Sequence, residues 1–329
     1  MNNMKNRFEK TNCFLLFIIA SVFLFLYKIF FRFMDTDIYH ILTTGKWILG
    51  NGFAKENVYF IKEGYETVAQ QWLYSIVLYK FYDILGELGL SIFGLLEFAL
   101  LFFLEYKFYR LKNLSKKYSY IGTCITLCIM GYINIRPQMI SVILLLLELI
   151  LIEKYIKTGK LGFLYLLPLT TLFEINFHST FWVFHFIVLA PYIFSSIFTG
   201  LKIKFLNMED STFVKTEVYK KLIIPVLLMI MTLFINPYGI DGILCLFRSS
   251  DIKYLNIIEM QSAKIISVTS LFILVGVIAI VIASKYGKLT MVNLCMFAGF
   301  GILLAMANRN TICFSIATLY FLSELFATD

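Results

Sequence analysis

Charge is what this sequence has least of: Asp, Glu, Lys and Arg make up only 15% of it, against 60% hydrophobic and 17% aromatic residues. A soluble globular chain is about one-quarter charged and about half apolar. The excess apolar surface therefore has to face something other than water, and the runs are long enough for that to be lipid. A spanning helix needs roughly 20 mostly apolar residues, and residues 13–33, 265–284 and 290–307 approach that length. Low-complexity linkers and soluble repeats are also missing, which leaves residues 1–329 as one transmembrane domain. No small-residue cleavage site follows the first apolar run, so that run reads as a retained helix and not a signal peptide.

Cysteine-based metal-ligand spacing is absent too. The six cysteines (Cys13, Cys124, Cys128, Cys245, Cys295 and Cys313) lie mostly inside apolar segments. Cys124 and Cys128 are one helical turn apart, but no histidine or second cysteine pair completes a site, and they read as small core residues. The formal charge of +8 does not point to nucleic acid. The lysines and arginines fall between apolar runs, where they orient helices and meet anionic lipid.

Hydropathy and charge breaks predict an all-α bundle of about ten spans: 13–33, 88–107, 119–135, 138–153, 162–176, 179–199, 221–236, 264–284, 290–307 and 311–327. Basic residues collect near Lys5, at 107–117, at 154–160, at 202–221 and at 285–288, and the positive-inside rule puts these on the cytoplasmic side with both termini. The first external loop is then 34–68, containing an interfacial helix over 38–50, and the second is 236–263. Residues 71–86 (QWLYSIVLYKFYDILG) are apolar enough to be a helix but carry Lys80 and Asp83 mid-run. They read as interfacial or re-entrant, because the alternation holds only if 69–107 crosses once.

With that orientation the distinctive residues gather on the outer face: Asp35-Thr36-Asp37 with His40, Arg136-Pro137-Gln138, Glu174 through His178, Asn236-Pro237-Tyr238-Gly239, and Asn308-Arg309-Asn310. Asp35 and Asp37 can hold a divalent cation (Mg2+ or Mn2+), or one can serve as a base beside the other. A lone Asp-x-Asp before an apolar-periodic run is more often simply the cap of the helix that follows, here 38–50. Arg136 and Arg309 suit a phosphate or a carboxylate, which a guanidinium binds bidentately. His40 and His178 can relay protons near neutral pH. Pro137 is an N1 proline and Asn-Pro-Tyr-Gly a turn. His185, among Phe and Trp, reads as a bonded core histidine. Glu97, Glu148 and Glu174 are buried-looking acids and functional candidates in a membrane, whereas Glu105 is expected to reach the interface.

The ordered set DTDIYHILTTGKWILGNG, AQQWLYSIV, RPQMISVILLLLELI, EINFHSTF, INPYGIDGI and NRNTICF resembles bacterial members of the type C glycosyltransferase superfamily (GT-C), of the protein mannosyltransferase and aminoarabinose transferase kind, over residues 35 to 315. The resemblance implies transfer of a sugar from a polyprenyl-phosphate donor to a cell-envelope acceptor at the outer membrane face. It implies an acidic residue of the first external loop, Asp35 or Asp37, as base or metal ligand. His40, Asn176 and His178 would line the pocket, and Arg136 and Arg309 would meet the phosphate. Two departures stand out. The chain stops at Asp329, where such proteins often continue, and Ala69-Gln70-Gln71 replaces the usual residues before Trp-Leu. The alternative is a transporter, flippase or accessory subunit. Inverted repeats and helices broken at the midplane, which mark a carrier, are not evident.

Overall fold

The computed structural model describes residues 37–54, 56, 67–130, 134–198, 214, 217–248, 262, 268–286 and 289–326. Asp35 and the expected span over 13–33 lie outside these. The described residues are almost wholly helical: α1 (Asp37–Asn51), α2 (Trp72–Leu85), α3 (Glu87–Leu111), α4 (Lys116–Met130), α5 (Pro137–Thr158), α6 (Leu167–Phe177), α7 (Trp182–Ile197), α8 (Glu217–Thr232), α9 (Ile240–Arg248), α10 (Val268–Lys285), α11 (Met291–Met306) and α12 (Thr311–Leu325). Short 3-10 turns lead into α6, α7 and α12. The all-α class read from the apolar runs is borne out. The loop expected over 236–263 is not wholly irregular, since α9 occupies its first part.

Local chemistry sets these boundaries. Pro137 opens α5, where its missing N–H costs no bond, and Arg136 before it is extended, as a residue preceding proline must be. The Thr290 hydroxyl accepts from the Asn293 amide at 3.2 Å and starts α11. Between α2 and α3 the chain reverses on Gly86 alone, at φ +60°, a backbone region that a side chain disfavours.

Hydrogen bonds define two ends of the bundle. At one end, Trp72 Nε1 donates to Asn176 Oδ1 (3.2 Å), the Ser179 amide donates to the Gln70 carbonyl (2.7 Å), and Arg136 pairs with Asp37. At the other end, Lys112 lies between Glu153 (3.1 Å) and Glu324, and the Tyr192 and Tyr320 hydroxyls both donate to Glu153 Oε1 at 2.8 Å. Burial alone would lower the Lys112 ammonium, but the two carboxylates outweigh it and hold it above the ordinary lysine value.

Residues 72–112 therefore pass from the first end to the second only once. They do so as a hairpin: Phe81 packs on Phe93, and Tyr74 packs on Phe93 and bonds Glu97 at 3.3 Å. α1, α2 and the start of α3 share a small core of Ile38, Ile41, Leu42, Tyr74, Leu78, Leu90, Phe93 and Ile135. It is separate from the main core, which runs from Phe98 through α5, α7, α11 and α12. This hairpin and α1 form a helical cap over the first end.

The bundle's polarity is inverted relative to a soluble protein. Its outer surface is studded with exposed Leu96, Phe103, Ile224, Leu227, Leu274 and Ile278, while Glu97, Glu105, Glu148, Glu153 and Glu174 are buried. Glu105 departs from expectation. It does not reach the interface but accepts from the Thr126 hydroxyl at 2.6 Å, because α4 packs over it. α3 and the stretch Ser179–Ile197 are long and apolar enough to cross a membrane.

Candidate functional site

The capped end collects several helix termini, and their sequence decides what each delivers. α1 begins at Asp37, so its carboxylate sits on the positive end of the helix dipole. From there Asp37 Oδ2 meets Arg136 Nη2 at 3.0 Å, tying the cap to the start of α5. The Asp37 side chain is 61% exposed and Arg136 25%, so the pair faces solvent. His40 follows one turn along α1 and is exposed; its carbonyl accepts from the hydroxyls of Thr43 and Thr44.

Asn176 and His178 leave the end of α6 in different directions. Asn176 takes the Trp72 indole through Oδ1 and donates to the carbonyls of Leu172 (2.8 Å) and Ile235 (2.9 Å), joining α2, α6 and the end of α8. It lines a cleft of about 490 Å³ bounded by Trp72, Leu73, Phe173, Phe234, Asn236 and Pro237. Asn236 itself is occupied in its turn: it accepts from the Tyr238 amide and donates to the carbonyls of Leu233 and Gly239, each at 2.9 Å. The structural reading of Asn-Pro-Tyr-Gly therefore holds. Tyr238 and Trp72 both pack edge-on against Phe53. Burial raises the Tyr238 hydroxyl above its ordinary value, against a lowering bond to the Ala69 backbone.

His178 is buried. Its Nδ1 lies 2.9 Å from Ser141 Oγ, its Nε2 lies 3.2 Å from Thr180 Oγ1, and its ring stacks on Phe181. The Ser141 hydroxyl donates to Glu174 Oε1 at 2.6 Å. A hydroxyl has one proton to give, so His178 Nδ1–H is the donor to Ser141 and Nε2 accepts from Thr180. Glu174 Oε2 in turn faces His185 Nε2 at 3.2 Å, and His185 Nδ1 bonds Glu148. Arg309 is exposed in the turn between α11 and α12, and its charge acts on both His178 and Cys313.

The sequence-predicted residues thus share one end but divide into three groups. Asp37 and Arg136 form an ion pair, Asn176 closes the wall of the cleft, and His178 belongs to a buried network on which the exposed Arg309 acts through its charge. No three His, Cys, Asp or Glu side chains among the described residues are placed to hold one metal ion. At Asp37 Oδ2 the guanidinium of Arg136 takes the position a cation would need. Sequence reasoning anticipated the burial of Glu148 and Glu174 and a bonded His185, but not that all three join His178. The signal was spacing: Ser141 and Glu148, and likewise His178 and His185, are each seven residues apart. Comparison of the chain with protein-family models, with curated proteins and with solved structures finds no match in any of the three.

Proposed function

We propose that this chain is a multi-pass membrane glycosyltransferase of the GT-C kind, with its site at the capped end on the extracytoplasmic side. The first span is 13–33 and nine more follow, with both termini cytoplasmic. The inverted polarity supports the membrane reading: an apolar surface over buried carboxylates is stable against lipid and costly in water.

One observation carries the enzymatic reading. A polar, capped bundle end abuts a cleft whose walls are apolar (Leu73, Phe173, Phe234, Ile235) and whose polar edge is Asn176 and Asn236. That combination fits a polyprenyl chain lying against the bundle with its phosphate and sugar at the cap. Arg136 then steadies the phosphate charge. Asp37 takes the proton of the acceptor hydroxyl as its oxygen attacks the sugar carbon and the phosphate departs with the bonding electrons. His40 and Arg309 flank the approach. The test is release of polyprenyl phosphate from a labelled polyprenyl-phosphate sugar by the chain in proteoliposomes, repeated with Asp37→Asn. Turnover lost in the variant supports the reading; no turnover and no donor binding by the wild-type chain removes it.

A second reading, a carrier without chemistry, draws on the buried ionisable residues along α5 and α7, a common feature of coupled transport. Counterflow of substrate across proteoliposomes without any bond cleavage would establish it instead.

A further inference from the structure

α5 and α7 both run from the capped end toward the opposite one, and polar side chains recur where they face each other. Three rungs join them: Ser141 to His178 at the approach to α7, Glu148 to His185, and Glu153 to Tyr192. The first two rungs are seven residues apart on both segments, close to two helical turns, which keeps them on one face. The third follows five residues on along α5 and seven along α7. Glu174 of α6 bridges the first two rungs, taking the Ser141 hydroxyl on one oxygen and facing His185 with the other. The result is an uninterrupted hydrogen-bonded chain: Thr180, His178, Ser141, Glu174, His185, Glu148. Every member is buried, the last three fully. Along α5 it descends about 10 Å, at roughly 1.5 Å per residue from Ser141 to Glu148.

A purely structural ladder needs only neutral donors and acceptors. Here four of the six members carry ionisable groups, whose burial is costly unless they are paired, and such groups inside a membrane bundle are functional candidates. Their arithmetic is uneven as well. His185 has a carboxylate on each ring nitrogen, so with both acids ionised and the ring doubly protonated the trio carries one net negative charge. Glu148 Oε1, fully buried, has no hydrogen-bond partner among the described residues. Facing the chain from the α11–α12 side are Arg309, whose charge reaches His178, and Cys313, which feels both Glu174 and Arg309.

We propose that this chain is a proton-binding path, open at the capped end, that stores one proton on the Glu174–His185–Glu148 trio. A proton arriving at Thr180 is handed to His178 Nε2, and His178 gives up its Nδ1 proton to Ser141 Oγ. Ser141 passes its own hydroxyl proton to Glu174 Oε1. One proton enters, one carboxylate becomes neutral, and no electrons change hands. The trio's net charge rises from −1 to zero. Rotation of the Thr180 and Ser141 hydroxyls and return of the His178 tautomer reset the path. This inference goes beyond sugar transfer and holds whether or not the capped end carries out that chemistry.

Infrared difference spectroscopy on the full chain in lipid nanodiscs, after a downward pH step, tests it. The expected result is a protonated-carboxyl band that Glu174→Gln removes. Its rise slows by about tenfold or more in Ser141→Ala and returns toward the wild-type rate in Ser141→Thr. A band that rises equally fast in Ser141→Ala, or no titrating carboxyl at all, overturns the proposal. If Ser141→Ala fails to fold, the nitrogen resonances of the wild-type histidines decide. The proposal requires His178 neutral with its proton on Nδ1, and His185 doubly protonated. Two neutral rings that ignore pH contradict it.

Discussion

Asp37 Oδ2 and Arg136 Nη2 meet at 3.0 Å, and this contact joins the first turn of the cap to the first turn of the bundle. Because the Asp37 side chain is 61% exposed, the pair contributes little to stability, about 0.2–1 kcal/mol for ion pairs of this kind. Asp37→Asn is therefore expected to express, insert and melt nearly as the wild type does while losing sugar transfer. Thermal unfolding and turnover measured on the same preparation check both halves. Full activity in the variant would remove Asp37 from the reaction.

The cap itself depends on Gly45. A Cβ there would sit 2.1 Å from the Ser75 carbonyl oxygen, a backbone atom that cannot move aside without parting α1 from α2. Gly50, five residues on, has nothing within 4 Å. Gly45→Ala should loosen the cap at a cost of about 1–3 kcal/mol and expose it to protease, whereas Gly50→Ala should leave the digestion pattern unchanged. Equal digestion of the two variants would mean that α1 is not seated on α2 in this way.

At the opposite end, Glu153 holds Lys112, Tyr192 and Tyr320 together with little solvent exposure. Glu153→Ala takes one of two carboxylates from a partly buried lysine and the acceptor from two buried tyrosines, and the expected loss is about 3–5 kcal/mol, read as a fall in melting temperature. The pH dependence has a definite sign. The folded-state value of Lys112 is raised, so its contribution is fully present below the ordinary lysine value. It is lost as pH climbs through the raised one. Alkaline destabilisation should thus be weaker in Lys112→Met than in the wild type. Identical alkaline profiles would show that the clamp does not hold a charged lysine.

Much of the helical frame was legible in the apolar runs, because length and hydropathy report helices directly. Pro137 marked where α5 begins, whereas the helix runs past the expected end at 153, through Lys154 and Lys157, to Thr158. The path of residues 71–86 was not legible. Lys80 and Asp83 argue against a span, while the aromatic and aliphatic residues around them argue for one; only the Trp72–Asn176 and Lys112–Glu153 bonds place Trp72 and Lys112 at opposite ends of the bundle. Glu105 was misjudged because its position along α3 says nothing of α4, which lies over it and offers Thr126. The site was half legible: residue type and sidedness brought Asp37, Arg136, Asn176, His178 and Arg309 to one end. Their division into three groups depends on side-chain direction across helices, and no single-sequence pattern carries that. Of Asp35, the other half of the acidic pair, the described residues say nothing.

The most direct test of the account is which side of the membrane the cap faces. In a chain with its six native cysteines replaced, a single cysteine is placed at Tyr39, exposed on α1 of the cap, or at Lys117, exposed near the opposite end. Intact cells are then treated with a membrane-impermeant maleimide. The account predicts that Tyr39→Cys is labelled at once and that Lys117→Cys is labelled only after the membrane is permeabilised. The reverse pattern would put the cap in the cytoplasm and contradict an extracytoplasmic transfer site.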